Sequence, residues 1–171
     1  YTLTNFEQNM RSILLGKKSE TEIVTFLEDI NHSGLTAEQV KIGVDIMIEN
    51  MTGINIPDAM DVVGTGGTGL KTLSISTAVA IVSASAGARV AKHGNRAASS
   101  LTGTADTLSH LGVNLNVKPD KIIECVEKCG VGFLFAPNHH PAMRYVASAR
   151  KVIGKRTIFN LLGPMSNPAR T

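Results

Sequence analysis

Only two of the 171 residues are cysteines, Cys125 and Cys129, four apart on an expected helix. Two thiols cannot make a disulfide scaffold, and a helix-face pair of small buried side chains is the plainer reading. No other cysteine and no nearby histidine supports a zinc site. A reducing cytoplasm is the default compartment. No apolar run reaches membrane-spanning length, and the opening YTLTNFEQNM has no signal-peptide pattern. It also lacks an initiator methionine, so the start reads as trimmed. The net charge of +3 is too small and scattered to argue for nucleic acid, yet it suits an anionic small molecule. Repeats and low-complexity tracts are absent. What is plentiful is hydrophobic residue, 43% of the chain, enough for one compact domain or one and a fraction.

Three capping boxes punctuate the first fifty residues: Thr4-x-x-Glu7, Ser19-x-x-Glu22 and Thr36-x-x-Gln39. They predict helices over 5–15, 20–31 and 37–51, with Gly16, Gly34 and Gly53 where the chain leaves each one. Apolar residues recur at helical spacing, Ile23, Phe26, Leu27 and Ile30 in the second helix, and Val40, Val44, Met47 and Ile48 in the third. Nothing here carries chemistry, so residues 1–59 read as a helical module that packs on the rest or on a second copy.

After the connector TGINIPDAM (52–60) the pattern changes to short apolar runs between helices. Strands are expected at 60–64, 88–92, 114–117 and 131–136, with another at 156–160. Helices are expected at 74–86, 104–111, 119–129 and 141–153. Pro119 opens a helix, and Gly112 and Gly130 follow helix ends. This alternation implies βαβ units and a mostly parallel sheet over 60–171. Ligands of such sheets collect at the carboxyl ends of the strands.

DVVGTGGTGLKTLSIST (61–77) lies at such an end. Gly64, Gly66 and Gly69 satisfy G-x-G-x-x-G, but a dinucleotide site needs an acid after the second strand, where this chain has Lys92-His93. A Walker loop needs Lys directly after the last glycine, and Leu70 intervenes. What remains is a glycine loop with hydroxyls at Thr65, Thr68, Thr72, Ser74, Ser76 and Thr77, leading into the amino end of a charge-free helix. That helix reads as buried between the sheet and another layer. Its amino end is an anion site, and the hydroxyls suit a pyrophosphate with a metal ion.

KHGNRAASS (92–100) follows a strand on the same edge. Lys92 and Arg96 bring charge, Asn95 an amide, His93 a switchable donor and Gly94 room for close approach. Thr102 or Thr104 would cap the next helix. Farther on, Arg144, Arg150, Lys151, Lys155 and Arg156 make a basic run, read mostly as a solvated face. Adjacent His139 and His140 do not suggest a metal.

Together, the glycine loop, K-H-G-N-R with its serines, and R-T-I-F-N-L-L-G-P-M-S-N-P (156–168) resemble the anthranilate phosphoribosyltransferase family of tryptophan biosynthesis. The likeness runs from the first helix to the last residue. It implies an N-terminal helical module, the usual place of homodimerisation, followed by the first part of a mostly parallel α/β domain of the nucleoside phosphorylase/phosphoribosyltransferase type. It also implies transfer of phosphoribosyl from phosphoribosyl pyrophosphate (PRPP) to anthranilate, with Mg²⁺ and no nucleic-acid or membrane partner. By resemblance, Gly64, Gly67, Thr68 and Thr72 lie along PRPP. Ser74, Ile75, Ser76 and Thr77 cradle phosphate, Ser76 contacting Mg²⁺. Lys92, His93, Gly94, Asn95, Arg96, Ala97, Ala98, Ser99 and Ser100 fold over PRPP, and Thr104 binds it from the next helix. Asn95 and Arg150 hold anthranilate, the arginine pairing with its carboxylate, in a channel lined by Gly64, His93, His140 and Pro164.

The chain departs from the family's usual Asp at Thr68, Asn at Ser74 and Ser at Thr104. Family members are roughly twice as long. Their other half supplies an adjacent Asp-Glu pair for Mg²⁺; residues 60–171 contain no such pair. On this reading the 171-residue chain alone is inactive. A non-catalytic helical association module with a partial phosphate site remains an alternative, and a pyrimidine nucleoside phosphorylase-like enzyme a third.

Overall fold

Thr2, Ser19 and Thr36 each turn a hydroxyl onto a backbone N–H, and three helices start there: α1 (Leu3–Leu14), α2 (Glu20–Ser33) and α3 (Ala37–Glu49). The structure is a computed structural model that describes residues 1–66, 74–96 and 103–171. The Ser19–Glu22 and Thr36–Gln39 boxes close reciprocally, with Glu22 and Gln39 accepting from the cap N–H at 2.9 and 3.0 Å. The first cap is Thr2 rather than Thr4, because Glu7 is committed to Arg11 at 2.9 Å and the helix starts two residues earlier. Gly53 ends no helix, since α3 stops at Asn50.

The chain forms two compact units, Tyr1–Met51 with His140–Ser166, and Thr52–His139 with Asn167–Thr171. In the first, Phe6, Met10, Ile13 and Leu14 of α1 and Ile23, Phe26, Leu27 and Ile30 of α2 form continuous stripes. They enter one core with Val146, Ala149, Ile158, Phe159 and Leu162. That apolar set draws residues 140–166, which the sequence groups with the sheet, into the helical unit. The buried stripe of α3 is Gln39, Gly43, Ile46 and Met47, with Val40, Val44 and Ile48 at its margin. Gly43 sets this rotation, because a Cβ there would lie 2.9 Å from Leu162 Cδ2. The expected strand at 156–160 is absent. Phe159 opens a helix that runs to Met165, and the expected helix over 141–153 breaks into a 3₁₀ turn (Pro141–Tyr145) and a helix over Ala147–Ile153.

The second unit is built on two parallel strands, β1 (Val90–Gly94) and β2 (Val131–Phe135), with Val90 opposite Val131 and Gly94 opposite Phe135. Helix α4 (Ile75–Ser85) leads into β1, and α5 (Thr104–His110) and α6 (Pro119–Cys129) separate β1 from β2. Pro119 starts α6 and left-handed Gly130 ends it. The strand pair alternates faces: Ala91 and Leu134 pack with Ile122 and Val126 of α6, whereas Phe133 and Phe135 pack with Ala105, Leu108 and Leu115. Leu115 lies at a bend in irregular chain, not in the expected strand at 114–117. Asn116 N donates to its neighbour Asn114 Oδ1 at 2.9 Å, and Asn138 Nδ2 donates to Leu115 O at 3.2 Å. The expected strand at 60–64 is reduced to a single parallel bridge, Met60 to Val90.

Two burial expectations change. Helix α4 turns small Thr77 and Ala80 inward and leaves Ile75 and Val82 61% and 68% exposed, so among the described residues its outer face is uncovered. Cys125 and Cys129 are free and exposed, because Ile122 and Val126 define the buried side of α6. No helix among the described residues is long and apolar enough to cross a membrane.

Candidate phosphate and carboxylate sites

The carboxyl end of β1 and the amino end of α4 meet at one side chain. Lys92, 2% exposed, donates from Nζ to Val62 O and to Ser76 Oγ, the latter at 3.2 Å. It thus ties β1 to the chain entering the glycine segment and to the first turn of α4. Burial lowers the ammonium's pKa, and the nearby Asp61 charge opposes that shift. Ser74, the residue before α4, caps no backbone N–H; its hydroxyl is 2.7 Å from Thr77 Oγ1. The amino end of α4 therefore carries no side-chain cap among the described residues, with Ile75 and Ser76 in its first turn.

Beyond Lys92 the chain turns tightly. His93 N donates to Asp61 Oδ1 at 3.1 Å, and its ring is buried. A Cβ on Gly94 would lie 3.1 Å from Phe133 Cε2 and 3.3 Å from Thr104 Cβ, so only glycine fits without a shift. Asn95 accepts from Arg96 N at 2.7 Å through its side chain and from Ala105 N at 3.2 Å through its carbonyl. Arg96 reaches Asp106 at 3.0 Å and lies over the Phe135 ring. Gly64 and Thr65 are placed ahead of this end, and Gly66 has φ 66°. Gly67, Thr68, Thr72, Ala97, Ala98, Ser99 and Ser100 lie outside the described residues.

Two polar residues that sequence reasoning did not single out organise this end. Asp61 accepts from Asn167 Nδ2 at 2.8 Å as well as from His93. Asn167, 3% exposed, also donates to Ala91 O at 2.9 Å and accepts from Ala169 N at 2.7 Å. Burial raises the Asp61 carboxyl, opposed by the bonds from Asn167 and His93 and by Lys92. The available signals were an acid directly before V-V-G and an asparagine before the last proline.

The helical unit holds the other set. Arg150 is half-buried and has no carboxylate partner among the described residues. Among the described residues its Nη2 reaches Asn160 Oδ1 at 3.5 Å, its guanidinium lies over the Phe159 ring at 5.9 Å, and burial lowers its pKa. Asn160 Oδ1 in turn accepts from Thr157 N at 3.0 Å. His140 is buried with Nε2 2.9 Å from Ser166 O, and Pro164 lies inside the helix that starts at Phe159. His139 is held elsewhere, its Nδ1 2.8 Å from Thr52 O.

Mg²⁺ prefers carboxylates, waters and substrate phosphates in octahedral geometry. Among the described residues no group of three or more His, Cys, Asp or Glu side chains is placed to hold a metal ion. Ser76 Oγ faces an ammonium rather than an acid. These residues do not form a resident Mg²⁺ site.

The family model described as "Glycosyl transferase family, a/b domain" matches residues 56–171. Anthranilate phosphoribosyltransferase of Albidiferax ferrireducens is 47% identical over 163 residues, covering 94% of this chain and 47% of its own length. The crystal structure of anthranilate phosphoribosyltransferase from Thermus thermophilus superposes with TM-score 0.88 at 40% identity, over 99% of this chain and 52% of that one. The Saccharomyces cerevisiae enzyme in complex with PRPP and Mg matches with TM-score 0.86 at 29% identity, over 98% of this chain and 51% of that one. The chain spans about half the length of the relatives it matches.

Proposed function

The chain belongs to the glycosyl transferase family through its a/b domain, and on that premise we propose that it is part of an enzyme that transfers the phosphoribosyl group of PRPP to anthranilate. The products are N-(5-phosphoribosyl)anthranilate and pyrophosphate. The observation that carries the reading is the junction of Lys92 with Ser76, which puts a buried cation beside a helix amino end that has no side-chain cap among the described residues. Such an arrangement stabilises a pyrophosphate as its charge grows. The amine nitrogen bonds to ribose C1 as the C1–pyrophosphate bond breaks, and the amine releases one proton. An aromatic amine is neutral near pH 7, so no strong base is needed.

Lys92 and the α4 amino end with Ser74, Ile75, Ser76 and Thr77 serve the leaving group, with Gly64, His93, Gly94, Asn95, Arg96 and Thr104 completing the PRPP contacts among the described residues. Gly67, Thr68, Thr72 and the segment 97–100 belong to the same proposal. Arg150, held by a single weak bond, receives the anthranilate carboxylate. Asn95, His140 and Pro164 are assigned to the same substrate. A Mg²⁺ bound as the counter-ion of PRPP would be held by the substrate's own phosphates and would neutralise their charge, with Ser76 the residue of this chain assigned to touch it. A cytoplasmic homodimer formed through the N-terminal helices is part of this reading, and exposed Leu3 and Leu15 support that surface.

Calorimetric titration of the chain with Mg·PRPP, and fluorescence titration with anthranilate, test the proposal. Binding of both is expected, without turnover by this half-length chain. Binding of a pyrimidine nucleoside in their place would overturn it.

A further inference from the structure

Met60 N donates to Arg89 O at 2.8 Å, and Ala91 N donates to Met60 O at 2.9 Å, which begins a regular parallel ladder. Its next two bonds would run from Val62 N to Ala91 O and from His93 N to Val62 O. None of these four groups pairs that way. His93 N donates to Asp61 Oδ1 at 3.1 Å. Val62 O is taken by Lys92 Nζ, and Ala91 O by Asn167 Nδ2. Three side chains, those of Asp61, Lys92 and Asn167, thus take three of these four backbone groups in place of the ladder.

We propose that Asp61 and Asn167 are positioning residues for phosphate capture: they hold the end of β1 away from residues 62–66 and so keep the Lys92 ammonium between the two segments. This rests on the phosphate-site reading above. Asp61 is an anion close to a site for anions, and a direct electrostatic role would oppose binding. Its use is geometric. Asn167 anchors it from the far end of the sequence, with Ala169 N fixing the amide's orientation.

The test uses the whole 171-residue chain and inorganic pyrophosphate as the probe, measured by calorimetry on the wild type, Asp61→Asn, Asn167→Ala and a core control, Val126→Ala. Asp61→Asn and Asn167→Ala are each expected to weaken pyrophosphate at least tenfold. The control is expected to change affinity less than twofold while losing as much melting temperature. Tighter binding by Asp61→Asn, which charge removal alone would produce, overturns the proposal, as does unchanged affinity in both variants. Should either variant fail to fold, the wild type decides: pyrophosphate should shift the Asn167 side-chain amide and His93 backbone amide resonances. Binding that leaves both unmoved overturns the positioning role alone, whereas no binding by the wild type overturns the phosphate-site reading and this proposal with it.

Discussion

Lys92 Nζ stands 3.2 Å from Ser76 Oγ, sixteen positions earlier, and also bonds Val62 O, so one buried ammonium joins three segments of the second unit. Charge-assisted bonds of this kind contribute about 1.5–3 kcal/mol each. Lys92→Met should therefore weaken PRPP by roughly 10–100-fold. Removing a desolvated cation offsets part of the lost bonding, so stability should change by only about 1 kcal/mol. Calorimetry and urea unfolding measure the two quantities separately; a stability loss with full affinity would place Lys92 in the scaffold alone.

Arg150 presents the complementary case. Its guanidinium is desolvated with one weak partner, so Arg150→Met should leave stability unchanged or raise it by up to about 1 kcal/mol. Anthranilate affinity should fall at least tenfold, about 1.4 kcal/mol. Arg150→Lys should not restore it, because a point charge cannot make the paired bonds of a planar fork. Fluorescence titration beside thermal melts checks both halves.

Glycine carries packing at two positions with different outcomes. A Cβ on Gly132 would lie 2.8 Å from Ile122 O and Val126 Cγ2, backbone and branched side chain of α6. Gly132→Ala should cost about 1–3 kcal/mol or more. At Gly43 the obstacles are the terminal methyls of Leu162, and alanine gains up to ~1 kcal/mol of helix propensity, so Gly43→Ala should cost less. Denaturation midpoints rank the two, and the reverse order would contradict this account.

The Ser19 capping box gives a pH signature. Glu22 is held at about 2, below its ordinary 4.5, chiefly by Lys18 and then by Ser19. A carboxyl depressed in the folded state adds stability that is complete above the unfolded value and is lost as pH falls through the folded one. Its contribution should therefore disappear between pH 4.5 and about 2. Ser19→Ala should cost about 1 kcal/mol at pH 7 and less at pH 2, as read from unfolding curves at both values.

Local chemistry was legible without a structure. Ser19, Thr36 and Pro119 start helices, and Gly34 and Gly130 end them, because each acts within three or four residues of itself. The strand pair and the segment carrying Lys92 were legible for the same reason, as short apolar runs between such signals. The family followed from motifs that are contiguous in sequence, a resemblance now joined by the match over residues 56–171. Tertiary structure decided what depends on distant partners. Val62 O goes to a side chain 30 positions away and Ala91 O to one 76 away, so the run at 60–64 makes one bridge instead of a strand. Residues 156–160 have strand-forming composition, yet Ile158, Phe159 and Leu162 can enter the helical core only if the chain coils there. Asp61 and Asn167, 106 positions apart, have no shared signature along the chain. Hydrogen-bonding capacity is written in each residue, but its partner is chosen by the packing that brings remote segments together.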